Sequence, residues 1–406
     1  MTAPATAPVA VIGGGIAGAA ACLRLSQLGH APIWIAAGVP GTTHPDDKPG
    51  EHLAPAARPL LAKLSALDLL AAPGHRPANA VLSAWGGPHL AERNAIVHLE
   101  GPGAVLDRPA FERDLAARAL DAGTRRIEAA LEVAETADGL WRLYAGGADL
   151  TAGFLLDASG RTAVVARSQA RRFRADRLAA LWAFLEQDPA SPVVPTRATL
   201  IESAPDGWWY AALLADGRLA LNWYSDPDLL PPEATRGAEA LAALTAESRH
   251  VGRWIDEAGF RLVAPRLASA GTTWLAPAAG RAEGAGWAAL GDAAAAFDPL
   301  SSHGMTTALW TAIAAAEAAV ASVAGDLAPL ARYAAAVAGG VQDFLAARSR
   351  LYAAEPRFAD HTFWRRRAAS HDPADIGAPA PLSTGVEKGR LRLSPSSTRW
   401  PLIALR

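Results

Sequence analysis

Short apolar runs alternate with longer helix-forming stretches along the first part of the chain. Residues 9–12, 31–36, 127–133, 141–144, 148–157 and 287–291 have the length and apolar character of strands. Residues 16–28, 55–70, 107–122, 306–324 and 327–346 predict helices, and in 55–70 the apolar positions recur every three and four residues. Asp107 can cap its helix, with Pro109 in the first turn, and Pro329 falls in a first turn where proline is tolerated. Gly29-His30 closes the first helix. Residues 40–49 and the stretch after Gly377 read as loops. Strand signals dominate 170–275. There, 208–213 and 218–224 flank Ala215-Asp216-Gly217 as a hairpin, before helical patterning returns at 233–256.

One strand carries chemistry at its end. Val9-Ala10-Val11-Ile12 runs into Gly13-Gly14-Gly15-Ile16-Ala17-Gly18, a G-x-G-x-x-G spacing between strand and helix. Gly13 permits the tight turn, Gly15 keeps a Cβ away from an approaching pyrophosphate, and Gly18 lets the helix pack on the sheet. The free N–H groups of the helix N-terminus then face the anion. The second strand ends in Ala36-Ala37, where dinucleotide folds usually place an acidic ribose ligand.

Composition narrows the class. A chain of 406 residues, 51% hydrophobic, can bury two domains or lobes. Its net charge of −2 gives no general case for nucleic acid. Residues 341–406 are locally basic and include Arg365-Arg366-Arg367, a candidate docking charge for an acidic partner. Cys22 stands alone inside the first helix and reads as core, so neither a disulfide nor a cysteine metal cluster is expected. The histidines are scattered, and no metal site is expected. No signal-like segment opens the chain. The alanine-rich stretch 286–323 is interrupted by Asp292, Asp298, His303 and Glu317, so no membrane span and a cytoplasmic location are expected.

The second half holds further motifs. Trp287-Ala288-Ala289-Leu290-Gly291-Asp292 is a strand ending in Gly-Asp. Asp298-Pro299-Leu300-Ser301-Ser302-His303-Gly304-Met305 is a loop opening a helix whose N–H groups could stabilise negative charge on a reduced flavin. With the opening glycines and Asp157-Ala158-Ser159-Gly160, these motifs resemble FAD-dependent monooxygenases of the aromatic-hydroxylase and flavin-halogenase superfamily, over about residues 9–325. The resemblance implies an α/β chain with a Rossmann-type FAD-binding fold, an inserted mostly β substrate layer and a helical C-terminal region. The expected boundaries are 1–170 with 276–325 for FAD binding, 171–275 for substrate, and 326–406 for a helical and loop region with possible partner docking.

Matched by motif, Gly13, Gly15 and Gly18 would hold the FAD pyrophosphate. Arg108 would lie near its phosphates, Asp292 at the ribitol, and Pro299, Gly304 and Met305 along the flavin ring. Glu51, His52 and His303 are the acid–base or positioning candidates. Trp208, Trp209, Tyr210 and Trp223 are candidate walls of the substrate layer. The halogenases' Trp-x-Trp-x-Ile-Pro motif is absent, and Lys48 lies in a polar loop, which ranks hydroxylation above halogenation. Pro49-Gly50-Glu51-His52-Leu53-Ala54-Pro55-Ala56-Ala57-Arg58-Pro59-Leu60-Leu61 looks like a segment of the flavoproteins that mature peptide-derived tryptophylquinone cofactors. That family implies oxygenation of a tryptophan in a partner polypeptide, with molecular oxygen and with electrons from a nicotinamide or a separate flavin reductase. The alternatives are a halogenase or small-molecule aromatic hydroxylase, a flavin oxidoreductase without oxygenation, and a non-catalytic FAD-stabilised assembly protein.

Overall fold

The computed structural model describes residues 5–38, 49–95 and 98–368. Lys48, most of the loop 40–49 and the stretch after Gly377 lie outside them. The helices are α1 (Ile16–Gln27), α2 (Ala57–Lys63), α3 (Arg108–Asp121), α4 (Ala166–Gln169), α5 (Ala238–Ala246), α6 (Val251–Ala258), α7 (Gly304–Val323), α8 (Ala328–Ala353) and α9 (Thr362–Ala368).

The first sheet runs Ala279–Ala282, Ala285–Ala289, Ala148–Asp157, Ala5–Ile12, Ile33–Ile35, Arg125–Ile127. Ala5–Ile12 lies parallel to both Ala148–Asp157 and Ile33–Ile35, and Ala285–Ala289 is parallel to Ala148–Asp157. Parallel central strands are apolar on both faces because helices cover them. Val9, Ala10 and Val11 are fully buried. The helix α7 is long and apolar enough to cross a membrane by composition, yet 61% of its most apolar window is buried inside the protein. Its alanines let α1 approach closely.

The second sheet holds the hairpin Gly207–Leu213 and Leu219–Ser225, flanked by Thr199–Ala204 and Ala179–Gln187. Ala80–Ala84 joins it parallel to Thr199–Ala204, and Ala91–Asn94 pairs antiparallel beyond it. These two strands carry no clear periodicity, and pairing with a distant strand creates them.

Three expected elements differ in detail. The helix expected over 55–70 stops after α2, because Ser65 turns left-handed at φ +52° and the Ala66 N–H closes on Leu61 O at 2.8 Å. A short 3-10 turn, Leu67–Ala71, comes next. The strand expected over 127–133 divides between Arg125–Ile127, paired with Ile33–Ile35, and Leu131–Ala137, paired with Leu140–Ala145. Helical patterning at 233–256 splits into α5 and α6. The buried Glu202 carboxylate receives the Arg249 and Val251 N–H groups at 2.7 and 2.9 Å at the start of α6.

Candidate functional site

A cavity of about 800 Å³ opens at the C-terminal ends of the parallel strands. One end is bordered by the glycine turn after Ile12, and the far end by the hairpin face carrying Trp208, Tyr210 and Tyr224. The three glycines divide the work of the turn. Gly13 sits at φ +112°, and a Cβ there would fall 2.3 Å from Ala158 O. A Cβ on Gly18 would fall 2.0 Å from Gly13 O, whereas a Cβ on Gly15 would meet nothing within 4 Å and would point into open cavity. Trp34 fastens the turn by donating its indole N–H to Gly13 O at 2.8 Å. No local pattern in the sequence singled this residue out.

Asp157-Ala158-Ser159-Gly160 is a carboxylate-tied turn. The fully buried Asp157 accepts the Val165 and Ala166 N–H groups at 2.8 Å and the Ser159 N–H at 3.0 Å. Asp292 lines the cavity, 3.6 Å from Arg161 Nε. Arg108 also lines it, donating from Nη1 to Pro49 O at 2.9 Å and from Nε to Glu112 at 3.0 Å.

The loop before α7 is held from behind. Buried Asp298 accepts from Leu300 N at 3.0 Å, Tyr352 Oη at 2.8 Å and Arg348 Nε at 3.1 Å. Tyr352 in turn accepts the Trp208 indole N–H at 3.1 Å. Asp298 therefore links the loop before α7, helix α8 and the aromatic wall. The sequence motif showed Asp298 as loop-shaping, but nothing in it signalled partners 50 residues away.

Polar atoms lie unpaired around the wall. His303 donates from Nδ1 to Ser301 O, an assignment made from the hydrogen bond that leaves Nε2 as an acceptor. That Nε2, His52 Nδ1, Glu51 Oε2, Thr306 Oγ1 and Thr307 Oγ1 are buried without a protein partner among the described residues. Burial, with His303 and Arg76 nearby, pushes His52 down to about 4, and burial lowers His303 as well. Both rings are neutral near pH 7. Part of the His52 ring remains open to the cavity. Burial raises the Glu51 carboxyl against the opposing N–H of Gly50, which donates to Oε1 at 2.9 Å. Glu51 lies behind the cavity lining, close enough that its charge helps raise the Tyr210 and Tyr224 phenols, after burial.

The structure thus brings Gly13, Gly15, Arg108, Asp292, Pro299, Gly304, Met305, His52, His303, Trp208 and Tyr210 to one cavity. Gly18 lies under the turn. Trp209 and Trp223 lie elsewhere: they face each other at 4.8 Å in the core on the opposite side of the hairpin. Tyr224 takes the wall position instead, stacked on Trp208 at 4.1 Å. The register pairs Trp208 with Tyr224 and Trp209 with Trp223, so period-two alternation separates the two faces. That signal was present in the sequence.

The expectation of docking charge at Arg365–Arg367 needs correction. Arg367 is 1% exposed, joined to Asp226 and stacked over Phe363, and Arg366 pairs with Asp226 and Asp228 at 2.8 Å. Two of the three cations are neutralised internally.

No protein-family model matches the chain. LodB of Marinomonas mediterranea, named as an FAD-dependent oxidoreductase, is 25% identical over 306 residues, covering 71% of this chain and 77% of that protein. The myxobacterial chondrochloren halogenase CndH superposes with a TM-score of 0.76 at 21% identity, over 90% of this chain and 86% of its own. The peptidyl tryptophan dihydroxylase QhpG, essential for tryptophylquinone cofactor biogenesis, superposes at 0.67 and 25% identity, over 91% and 80%. This chain has the fold of the FAD-dependent halogenases and hydroxylases.

FAD fits the cradle of this flavoenzyme fold. The space in front of Gly15 admits a pyrophosphate. The N-termini of α1 and α7 both border the cavity, and no side chain caps either. The pyrophosphate would lie against Gly13–Ile16, with Arg108 and Asp292 beside it and Pro299 to Met305 along the ring. Ala36, Ala37 and Gly38 also line the cavity, where the adenosine ribose would meet backbone in place of the usual carboxylate. Among the described residues no group of three His, Cys, Asp or Glu is arranged to hold a metal ion.

Proposed function

We propose that the protein is an FAD-dependent monooxygenase that hydroxylates a tryptophan side chain in a partner polypeptide during assembly of a quinone cofactor. The observation that carries this reading is one cavity holding a dinucleotide cradle, an aromatic wall and unpaired neutral histidine nitrogens. The likeness to QhpG, which acts on peptidyl tryptophan, supports the choice of substrate.

When bound and reduced, FAD supplies the activation of molecular oxygen. One oxygen atom enters the indole ring and the other leaves as water, with two electrons from a nicotinamide or a separate flavin reductase. The protein's part is orientation, proton handling and exclusion of water. Trp208 and Tyr224, stacked on each other, line the cavity with aromatic surface against which an indole ring can pack. His303 Nε2, fixed as an acceptor, suits the indole N–H. His52, neutral near pH 7, can take the proton released as the ring regains aromaticity. Glu51, behind them, can hold that proton.

The deciding experiment supplies a tryptophan-containing partner polypeptide, a reductant and 18O-labelled oxygen to the purified flavoprotein. Labelled oxygen on the tryptophan is the expected result; flavin oxidation with peroxide release and no labelled peptide overturns the reading. Halogenation is the second reading, because the halogenase CndH has the same fold.

A further inference from the structure

A cluster of arginines lies between residues 161 and 177. That stretch holds Arg161, Arg167, Arg171, Arg172, Arg174 and Arg177 against one acid, Asp176, in a chain whose net charge is −2. Asp176 is occupied by Arg348 at 2.8 Å. Arg167, Arg171, Arg172 and Arg174 are exposed, and none of the four pairs with a carboxylate among the described residues. Arg167, Arg172 and Arg174 share one surface, while Arg171 projects from the other face of its strand, Arg171–Arg174. Arg172 donates to the Arg161 carbonyl at 2.6 Å. Partial burial, then the like charges of Arg174, Arg161 and Arg167, lower the Arg172 guanidinium from its ordinary value. On the reverse face Arg171 lies 4.7 Å over the Phe173 ring, which stacks on Trp274 at 5.6 Å, so the strand carrying Arg172 and Arg174 is backed by a packed strand pair.

The patch begins at the cavity rim. Arg161 lines the cavity and donates to Gly271 O at 2.6 Å. Val164, 40% exposed, lines the same rim and adds an apolar foothold among the arginines. Crowded like charges cost stability unless something opposite in sign meets them. We propose that Arg167, Arg172 and Arg174 dock an acidic segment of the polypeptide whose tryptophan enters the cavity. This rests on the polypeptide substrate proposed above. A polypeptide is favoured over nucleic acid because the patch borders an aromatic-walled cavity and the rest of the chain carries a net negative charge.

Holoprotein is titrated with a synthetic peptide carrying a central tryptophan flanked by glutamates, and with its lysine-flanked counterpart. The glutamate peptide is expected to bind about tenfold or more tighter at about 50 mM than at about 500 mM salt, because screening weakens exposed charge pairs. The double variant Arg167→Glu/Arg174→Glu should lose that salt dependence while its FAD content stays normal, and Arg167→Lys/Arg174→Lys should retain it. Equal affinity for the two peptides, or unchanged binding by the charge-reversed variant, overturns the docking surface; equal affinity for oligothymidylate overturns the polypeptide assignment. A glutamate peptide that docks through these arginines but is never oxygenated refutes the hydroxylation reading and leaves the surface standing. Equal low-salt hydroxylation by wild type and variant does the reverse.

Discussion

At the residue scale the glycine turn shows three positions of one motif under three different constraints. Gly13 and Gly18 are glycine because the protein's own backbone occupies the Cβ position, and Gly15 is glycine although the protein leaves that space empty. Gly15→Val should therefore fold and bind FAD about tenfold or more weakly, the equivalent of ~1.4 kcal/mol. Flavin absorbance after desalting reads it, and full occupancy would refute the cradle. Gly18→Ala should instead destabilise the fold itself by about 1–3 kcal/mol through overpacking, read by denaturant unfolding. His52 offers a pH test. Its folded value near 4 lies below the ordinary 6.5, so between these values the unfolded chain binds more protons. Stability should fall as pH is lowered from about 6.5 to about 4, and lowered His303 acts in the same direction. Glu51, raised by burial, acts oppositely: its contribution is present below 4.5 and is lost as pH rises through the raised value. His52→Gln should flatten the acid limb of the melting-temperature profile; an unchanged slope would show that His52 does not titrate as described.

At the element scale, α8 is more than a cover. Through Arg348 and Tyr352 it holds Asp298 of the loop before α7, Asp176 and the Trp208 wall in one buried network. The side chains of Arg348 and Asp298 are 2% and 0% exposed, so their charges depend on each other. Arg348→Met leaves two carboxylates uncompensated and should cost about 3–5 kcal/mol. Tyr352→Phe removes one hydroxyl, strands the Trp208 N–H and should cost about 1–3 kcal/mol. Urea unfolding with both variants ranks them, and a larger loss for Tyr352→Phe would contradict the central place given to Arg348. The helix itself was legible over 327–346, but its continuation to Ala353, where this chemistry sits, was not. The last turns are held by contacts with distant elements, which a local pattern cannot contain.

At the scale of the whole molecule, two sheets meet around one cavity, and the reaction depends on what enters from the second sheet. A halogenase and a tryptophan dihydroxylase share this fold, so the fold does not separate the two chemistries. Product masses from the reduced protein with aromatic substrate, oxygen, chloride and bromide should show oxygenated product without halogen. A dominant chlorinated or brominated product would reverse the ranking drawn from the absent Trp-x-Trp-x-Ile-Pro motif. Lys48, on which part of that ranking stood, lies outside the described residues.

The amino-acid sequence by itself determined what local patterns can hold. It carried the strand, glycine turn and helix at 9–28, the Asp107 cap, the hairpin at 208–224 and the loop opening α7, because turns, caps and periodicity act over a few residues. Tertiary structure decided which distant groups meet. It put Tyr224 rather than Trp223 on the cavity, since strand pairing sets the facing side chains. It turned Arg367 inward to Asp226, 141 residues away, and left the arginines of 167–174 outside. Charge counted along a chain cannot reveal which charges are already paired, because pairing is made by the folded packing and not by neighbours in sequence.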